Sequence, residues 1–132
     1  MTLCDTGIIV ALISRTDQHY QRCVGLMKTW RDPLITTWPC ITEAMHILGT
    51  PPNQEALRQM IETGFLSLAM PTLEDALRVC ALMRRYADAP MDFADASLVV
   101  AAETLGLTRI LTLDHHFYAY QIHGRTPFDV SP

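Results

Sequence analysis

A chain of 132 residues, 49% of them hydrophobic and with a net charge of −4, is long enough to bury a core unaided and too short for two full-sized domains, so one domain over residues 1–132 is expected. No apolar run approaches the ~20 residues of a membrane helix, and Met1-Thr2-Leu3-Cys4-Asp5 lacks the basic region and cleavage site of a signal peptide; a cytoplasmic location without membrane contact is expected. The negative balance argues against a protein that coats nucleic acid by bulk charge.

Thr2 to Asp5 reads as a short buried strand and Ile8 to Ile13 as the apolar start of a helix, with Gly7 allowing a tight junction between them. Asp17 is placed to cap a second helix running through His19 to Trp30, on which Tyr20, Cys23, Val24 and Met27 recur at helical spacing. Arg31-Asp32-Pro33 ends it. Leu34 to Thr37 suits a second strand, and Pro39 suits the first turn of the next helix. There Ile41, Ala44, Met45 and Leu48 form the core stripe and leave Glu43 off it. Gly49-Thr50-Pro51-Pro52 reads as a loop before a helix from Gln54 to Glu62, and Gly64 precedes a third strand within Phe65 to Met70.

Thr72 and Asp75, spaced as a capping box, open a helix through Tyr86. After a break at Ala87 to Pro90, Asp92 to Leu105 is the most Ala/Leu/Val-rich helix, ended by Gly106. Arg109 to Leu113 is a strand, followed by a short turn or helix around His116 and Phe117, and Pro127 to Val130 adds an edge strand. Helices alternating with short strands predict an α/β fold, a three-layer α/β/α sandwich around a short, mainly parallel sheet. Cys4, Cys23, Cys40 and Cys80 lack pair spacing and sit in apolar stretches, so free buried thiols are expected.

Asp5 and Asp114 each stand where a strand ends and a helical segment begins. Ligands of open α/β sheets bind just outside the carboxyl ends of the strands, so two aspartates more than a hundred residues apart are expected to share one crevice. Glu43 and Asp95 lie near helix starts, where an acid is favoured. Four unpartnered carboxylates repel, which calls for a divalent cation, and all-oxygen donors make Mg²⁺ (or Mn²⁺) the expected cofactor. Such ions activate water and neutralise a leaving group in phosphodiester cleavage. Thr6 and Thr112, beside Asp5 and Asp114, are placed to orient a carboxylate or a bound water. Asp92 reads two ways, as a fifth acid of the metal site or as a helix N-cap with Asp95 at N3. With Asp5, Glu43, Asp92, Asp95 and Asp114 set aside, the rest of the chain is slightly positive, so a phosphodiester substrate is compatible with the overall charge.

Four segments carry a resemblance: Leu3-Cys4-Asp5-Thr6-Gly7, Thr42-Glu43-Ala44, Asp92-Phe93-Ala94-Asp95-Ala96-Ser97-Leu98 and Leu111-Thr112-Leu113-Asp114-His115-His116-Phe117. In order and spacing they resemble the PIN-domain ribonucleases, in particular the VapC-like toxins of prokaryotic toxin–antitoxin pairs. The resemblance implies a Mg²⁺-dependent endoribonuclease with Asp5, Glu43, Asp95 and Asp114 as its catalytic and metal-binding acids, an RNA substrate, a homodimer, and inhibition by an antitoxin. Two departures stand out. Many members look different at the position of Asp92, and His115 and His116 replace the charged residues that usually precede the Phe.

Other chemistries fit less well. His115-His116 raises a nitrogen-ligated metal site and the Asp-His-His motif of the DHH phosphoesterases, whose further upstream motifs are missing here. Haloacid-dehalogenase phosphatases need a second aspartate where this chain has Gly7. His46 reads as a helix-surface residue beside Glu43. Arg15, Arg22, Arg58, Arg84, Arg85, Arg109 and Arg125 form no continuous basic stripe. Trp30 and Trp38 read as core or interface packing, while Tyr118 and Tyr120 are available to stack bases. A non-catalytic PIN-like RNA-binding or scaffold module has no reason to keep four repelling acids. A DNA-directed metal nuclease of flap type needs clamp segments for which this chain has no room.

Overall fold

Alternating apolar side chains on three central strands divide the interior into two cores, one on each face of a sheet. The computed structural model describes residues 1–132. In chain order it runs β1 (Thr2–Cys4), α1 (Thr6–Ile13), α2 (Tyr20–Met27), β2 (Leu34–Thr37), α3 (Trp38–Leu48), α4 (Pro51–Glu62) and β3 (Leu66–Ala69). It continues with α5 (Leu73–Arg85), α6 (Phe93–Leu105), β4 (Arg109–Leu111), a 3-10 turn (His115–Tyr118), β5 (Gln121–Ile122), β6 (Thr126–Pro127) and β7 (Asp129–Ser131). Five strands form one sheet in the order β3-β2-β1-β4-β7, and every neighbouring pair is parallel. β5 and β6 form a separate antiparallel hairpin.

Leu3, Ile35 and Ile110 point to the face covered by α5 and α6, whereas Cys4, Leu34 and Leu111 point to the face covered by α1, α3 and α4. That alternation is the period-2 geometry of a strand buried on both sides. α6 is apolar almost all round because the sheet and α5 enclose it: Leu98, Val99 and Ala102 are fully buried. The Arg78 guanidinium donates from Nε and Nη2 to the two Glu103 oxygens at 3.0 and 3.2 Å, tying α5 to α6. Gly106 ends α6 in the left-handed region at φ 69°, where a side chain is strained.

The expected sandwich with a mainly parallel sheet is present. Several local expectations shift. α2 starts at Tyr20 and has His19 as its cap; Asp17 instead accepts from the His19 N–H at 2.8 Å, closing the preceding turn. Pro51 and Pro52 form the first turn of α4 and no loop, because proline lacks only an N–H that a first turn leaves free anyway. β4 stops at Leu111, since the Thr112 hydroxyl and the chain beyond it serve the strand-end turn. The edge strand is β7, while Pro127 pairs into the β5–β6 hairpin. That hairpin turns through His123 and Gly124, at φ 52° and 68°. All four cysteines are free; Cys4, Cys23 and Cys40 are buried, but Cys80 is exposed on the outer face of α5. No helix is long and apolar enough to cross a membrane.

Leu98 is fully buried between the sheet and α5. Leu98→Ala is expected to lower the unfolding free energy by about 2–5 kcal/mol in a urea titration, the cost of lost burial plus a cavity.

Candidate active site

The order of the sheet reverses at β1: the chain next builds β2 on one side of it and only later β4 on the other. A crevice opens at such a point, outside the carboxyl ends of the two strands. Asp5 follows β1 and Asp114 lies just past β4. Asp5 caps α1. Its Oδ1 accepts the Thr6 N–H at 2.7 Å and its Oδ2 accepts the Thr112 hydroxyl at 2.6 Å. The Thr112 oxygen in turn accepts the Asp114 N–H at 3.0 Å. One hydroxyl therefore joins both strand ends. Asp114 caps the following 3-10 turn, with Oδ1 accepting the His116 N–H at 2.9 Å and lying 2.7 Å from His116 Nδ1.

Asp92 and Asp95 form a reciprocal capping box at the start of α6. The Asp95 N–H donates to Asp92 Oδ1 at 2.8 Å, and the Asp92 N–H donates to Asp95 Oδ2 at 3.1 Å. Asp92 is thus the exposed N-cap, and its contact with Asp95 orients that carboxylate. Ser97 gives its proton to the Ala94 carbonyl at 2.6 Å, so the 2.6 Å contact with Thr37 is a donation from Thr37. This pins the first turns of α6 to the end of β2. Glu43 lies half-buried on α3, off the core stripe.

The acids sense one another. Burial pushes the Asp5 carboxyl up to about 6; the Thr112 and Thr6 bonds oppose this, and the Asp114 and Glu43 charges add to it. Burial likewise pushes Asp95 up to about 7, the Asp92 backbone bond opposing and the charges of Asp92, Asp5 and Asp114 reinforcing. No lysine or arginine pairs with Asp5, Glu43, Asp92, Asp95 or Asp114. Thr6 Oγ1 is buried without a hydrogen-bond partner. Beneath the crevice, burial pushes the Cys40 thiol up to about 11, so it stays protonated and inert.

An uncompensated group of oxygen donors fits a hard divalent cation. No three of these carboxylates bring oxygens within 4.8 Å of one another. The donors that gather within 4.8 Å are instead one atom each of Asp114, His115 and His116. Tyr120, considered for base stacking, is fully buried; its hydroxyl donates to the Pro90 carbonyl and its ring packs edge-on against Tyr86 and Phe117. Tyr118 is exposed, and with His19, Arg22 and His115 it lines a recess beside Asp114. His19 and Arg22 escaped the sequence reading as neighbours of the crevice because only the packing of α2 brings them there.

The PIN domain family profile matches residues 2–122. Among solved structures, the chain is similar to the Mycobacterium tuberculosis VapC20 toxin, described as cleaving the sarcin–ricin loop: the TM-score is 0.85 at 15% identity, over 96% of this chain and 100% of that one. It is also similar to a toxin–antitoxin complex from Klebsiella pneumoniae (TM-score 0.66, 18% identity, 86% and 87% covered). FitAcB from Neisseria gonorrhoeae aligns with a TM-score of 0.57 at 15% identity, over 86% of this chain and 88% of that one. These likenesses are of fold. No curated protein matches the chain by sequence.

Asp5 and Asp95 both hold protons more tightly folded than unfolded. Between the unfolded value near 4 and the folded values near 6 and 7, the native state binds more protons, so stability falls as pH rises through about 4 to 7. Thermal melts of chelator-treated protein are expected to show this decline, and Asp5→Asn is expected to lessen it, leaving the share of Asp95. A melting temperature that rises over the same range contradicts the burial of these acids.

Proposed function

The chain belongs to the PIN-domain family, and we propose that it is a divalent-metal-dependent endoribonuclease that serves as the toxin of a toxin–antitoxin pair. The observation that carries this reading is the pair of aspartates at adjacent central strand ends, locked by the Thr112 hydroxyl, with Asp95 and Glu43 adding charge and no basic side chain to answer it. Asp5, Glu43, Asp95 and Asp114 would hold Mg²⁺ or Mn²⁺. When bound, the cation supplies charge neutralisation at the scissile phosphodiester and lowers the pKa of a water to be used as nucleophile.

The protein's own contribution is placement. Thr112 fixes the direction of Asp5, and the capping box fixes Asp95. Asp92 acts through Asp95, as an outer member of the metal site. Thr6, through its N–H, holds the other Asp5 oxygen, while its hydroxyl is buried beside the Cys40 thiol. Arg22 and Tyr118, in the recess beside Asp114, offer a phosphate contact and an exposed ring to an RNA strand. The VapC20 description supports an RNA loop as the substrate class, and the Klebsiella complex supports an antitoxin partner. A recess of about 150 Å³ near Trp38, Met70, Val79, Phe93 and Leu105 is mainly apolar. With exposed Leu73 and Leu77 on α5 it offers a surface for a second copy or an antitoxin segment.

Purified protein is expected to cut structured RNA in Mg²⁺ or Mn²⁺ and to stop in EDTA. Asp5→Asn and Asp95→Ala should each lose on the order of 100-fold or more, beyond what outer residues of metal sites usually cost, while Asp92→Ala keeps partial activity. Cleavage that is equal in wild type and Asp95→Ala is contamination, and a scaffold role follows. Mg²⁺ at 100 times its dissociation constant should also stabilise the wild type by about 2.7 kcal/mol and leave Asp5→Asn unmoved. Light scattering should give a homodimer; a monomer at every concentration rejects the second-copy assignment.

A further inference from the structure

The 3-10 turn after Asp114 carries two imidazoles that the nuclease reading does not use. Phe117, fully buried, anchors this turn, and the Ala119 and Tyr120 N–H groups both donate to the His116 carbonyl. The turn therefore presents Asp114, His115 and His116 from a fixed backbone. One donor atom of each lies within 4.8 Å of the others, and the two imidazole centroids are 4.3 Å apart.

We propose that Asp114, His115 and His116 form a binding site for a nitrogen-preferring divalent transition metal, of which Zn²⁺ is the representative. Asp114 Oδ1 and His116 Nδ1 lie 2.7 Å apart, near the spacing of two ligands on one cation, and Zn²⁺ binding there displaces the Nδ1 proton to solvent. His115 is exposed, and turning its ring gives up its 4.3 Å contact with the His116 ring. Zn–N bonds of roughly 2.0–2.1 Å require the donors to close from their present spacing, which a change of the His115 rotamer supplies. Positions not filled by the three side chains stay with water, and His19 lines the same recess.

Two nitrogens and one oxygen suit Zn²⁺ and disfavour Mg²⁺, which binds oxygen and keeps its waters. The two metals thus want different donor sets that share Asp114. Zn²⁺ bound at the turn draws this carboxylate away from the oxygen centre, so it inhibits cleavage; that consequence rests on the nuclease reading, whereas the binding does not.

The test uses the full chain stripped of metal. Calorimetry with ZnCl₂, and visible absorption on adding Co²⁺, are expected to show a single bound ion per chain. His115→Ala, which leaves the Asp114–His116 contact in place, should weaken binding by about tenfold or more, and the double variant with His116→Ala should abolish it. Asp5→Asn removes an acid of the oxygen centre only and should bind Zn²⁺ within about twofold of wild type. No Zn²⁺ binding by wild type, or equal binding by wild type and His115→Ala, overturns the site. In a cleavage assay at fixed Mg²⁺, Zn²⁺ should inhibit wild type at concentrations about tenfold lower than His115→Ala; equal inhibition overturns the competition. If wild type cuts no RNA at all, the nuclease reading and the inhibition fall together, and the binding titration alone decides the site.

Discussion

A single threonine hydroxyl determines the shape of the crevice. Thr112 gives its proton to Asp5 and accepts the Asp114 N–H, so two acids from opposite ends of the chain are held in one small frame. The frame works because β1 and β4 are neighbours in register, with Leu3 beside Ile110 and Cys4 beside Leu111, so their ends come level. The Asp5 N–H donates to the Leu111 carbonyl at 2.9 Å, carrying the ladder to the edge of the crevice. Valine in place of Thr112 would keep the volume and lose both bonds, leaving a buried carboxylate short of a donor.

Holding acids this way costs stability. Asp5 is only 7% exposed and has no basic partner, and its carboxyl titrates near 6 largely because burial penalises the charge. Buried charges are tolerated when hydrogen-bonded and paired; here Thr112 and Thr6 supply the hydrogen bonds and no basic side chain supplies the pairing. Strain of this kind, kept at one end of a sheet whose two cores are otherwise well packed, is characteristic of a functional site.

The two capping boxes show how environment overrides a local motif. Thr72 with Asp75 and Asp92 with Asp95 make the same reciprocal pair of bonds at the starts of neighbouring helices. At the exposed start of α5, the bond from the Thr72 N–H holds the Asp75 carboxyl below its ordinary value. At the start of α6, burial outweighs the equivalent bond and nearby acids reinforce it, so Asp95 moves the other way, to about 7. The motif only caps a helix; being packed against the crevice turns one of the two acids into a candidate ligand.

Local chemistry along the chain was enough to place most elements: β2 at Leu34–Thr37, the Thr72 cap of α5, Gly106 at the end of α6 and the alternation of helices with strands were all readable. The same reading put Asp5 and Asp114 at strand ends, because an apolar run followed by an acid and a helix signal has few other solutions. What it could not supply were properties that depend on distant packing. Pro51-Pro52 looks alike in a loop and in a first turn until the helix forms around it. Tyr120 looked available to a base, but the closure of the 3-10 turn against α6 buries it. His19 and Arg22 became neighbours of Asp114 only when α2 docked, and His116 acquired its carboxylate partner only in the geometry of the turn. Backbone preference acts over a few residues and is written in the sequence, whereas burial, charge coupling and convergence of side chains arise between elements and exist only once the sheet has brought them together.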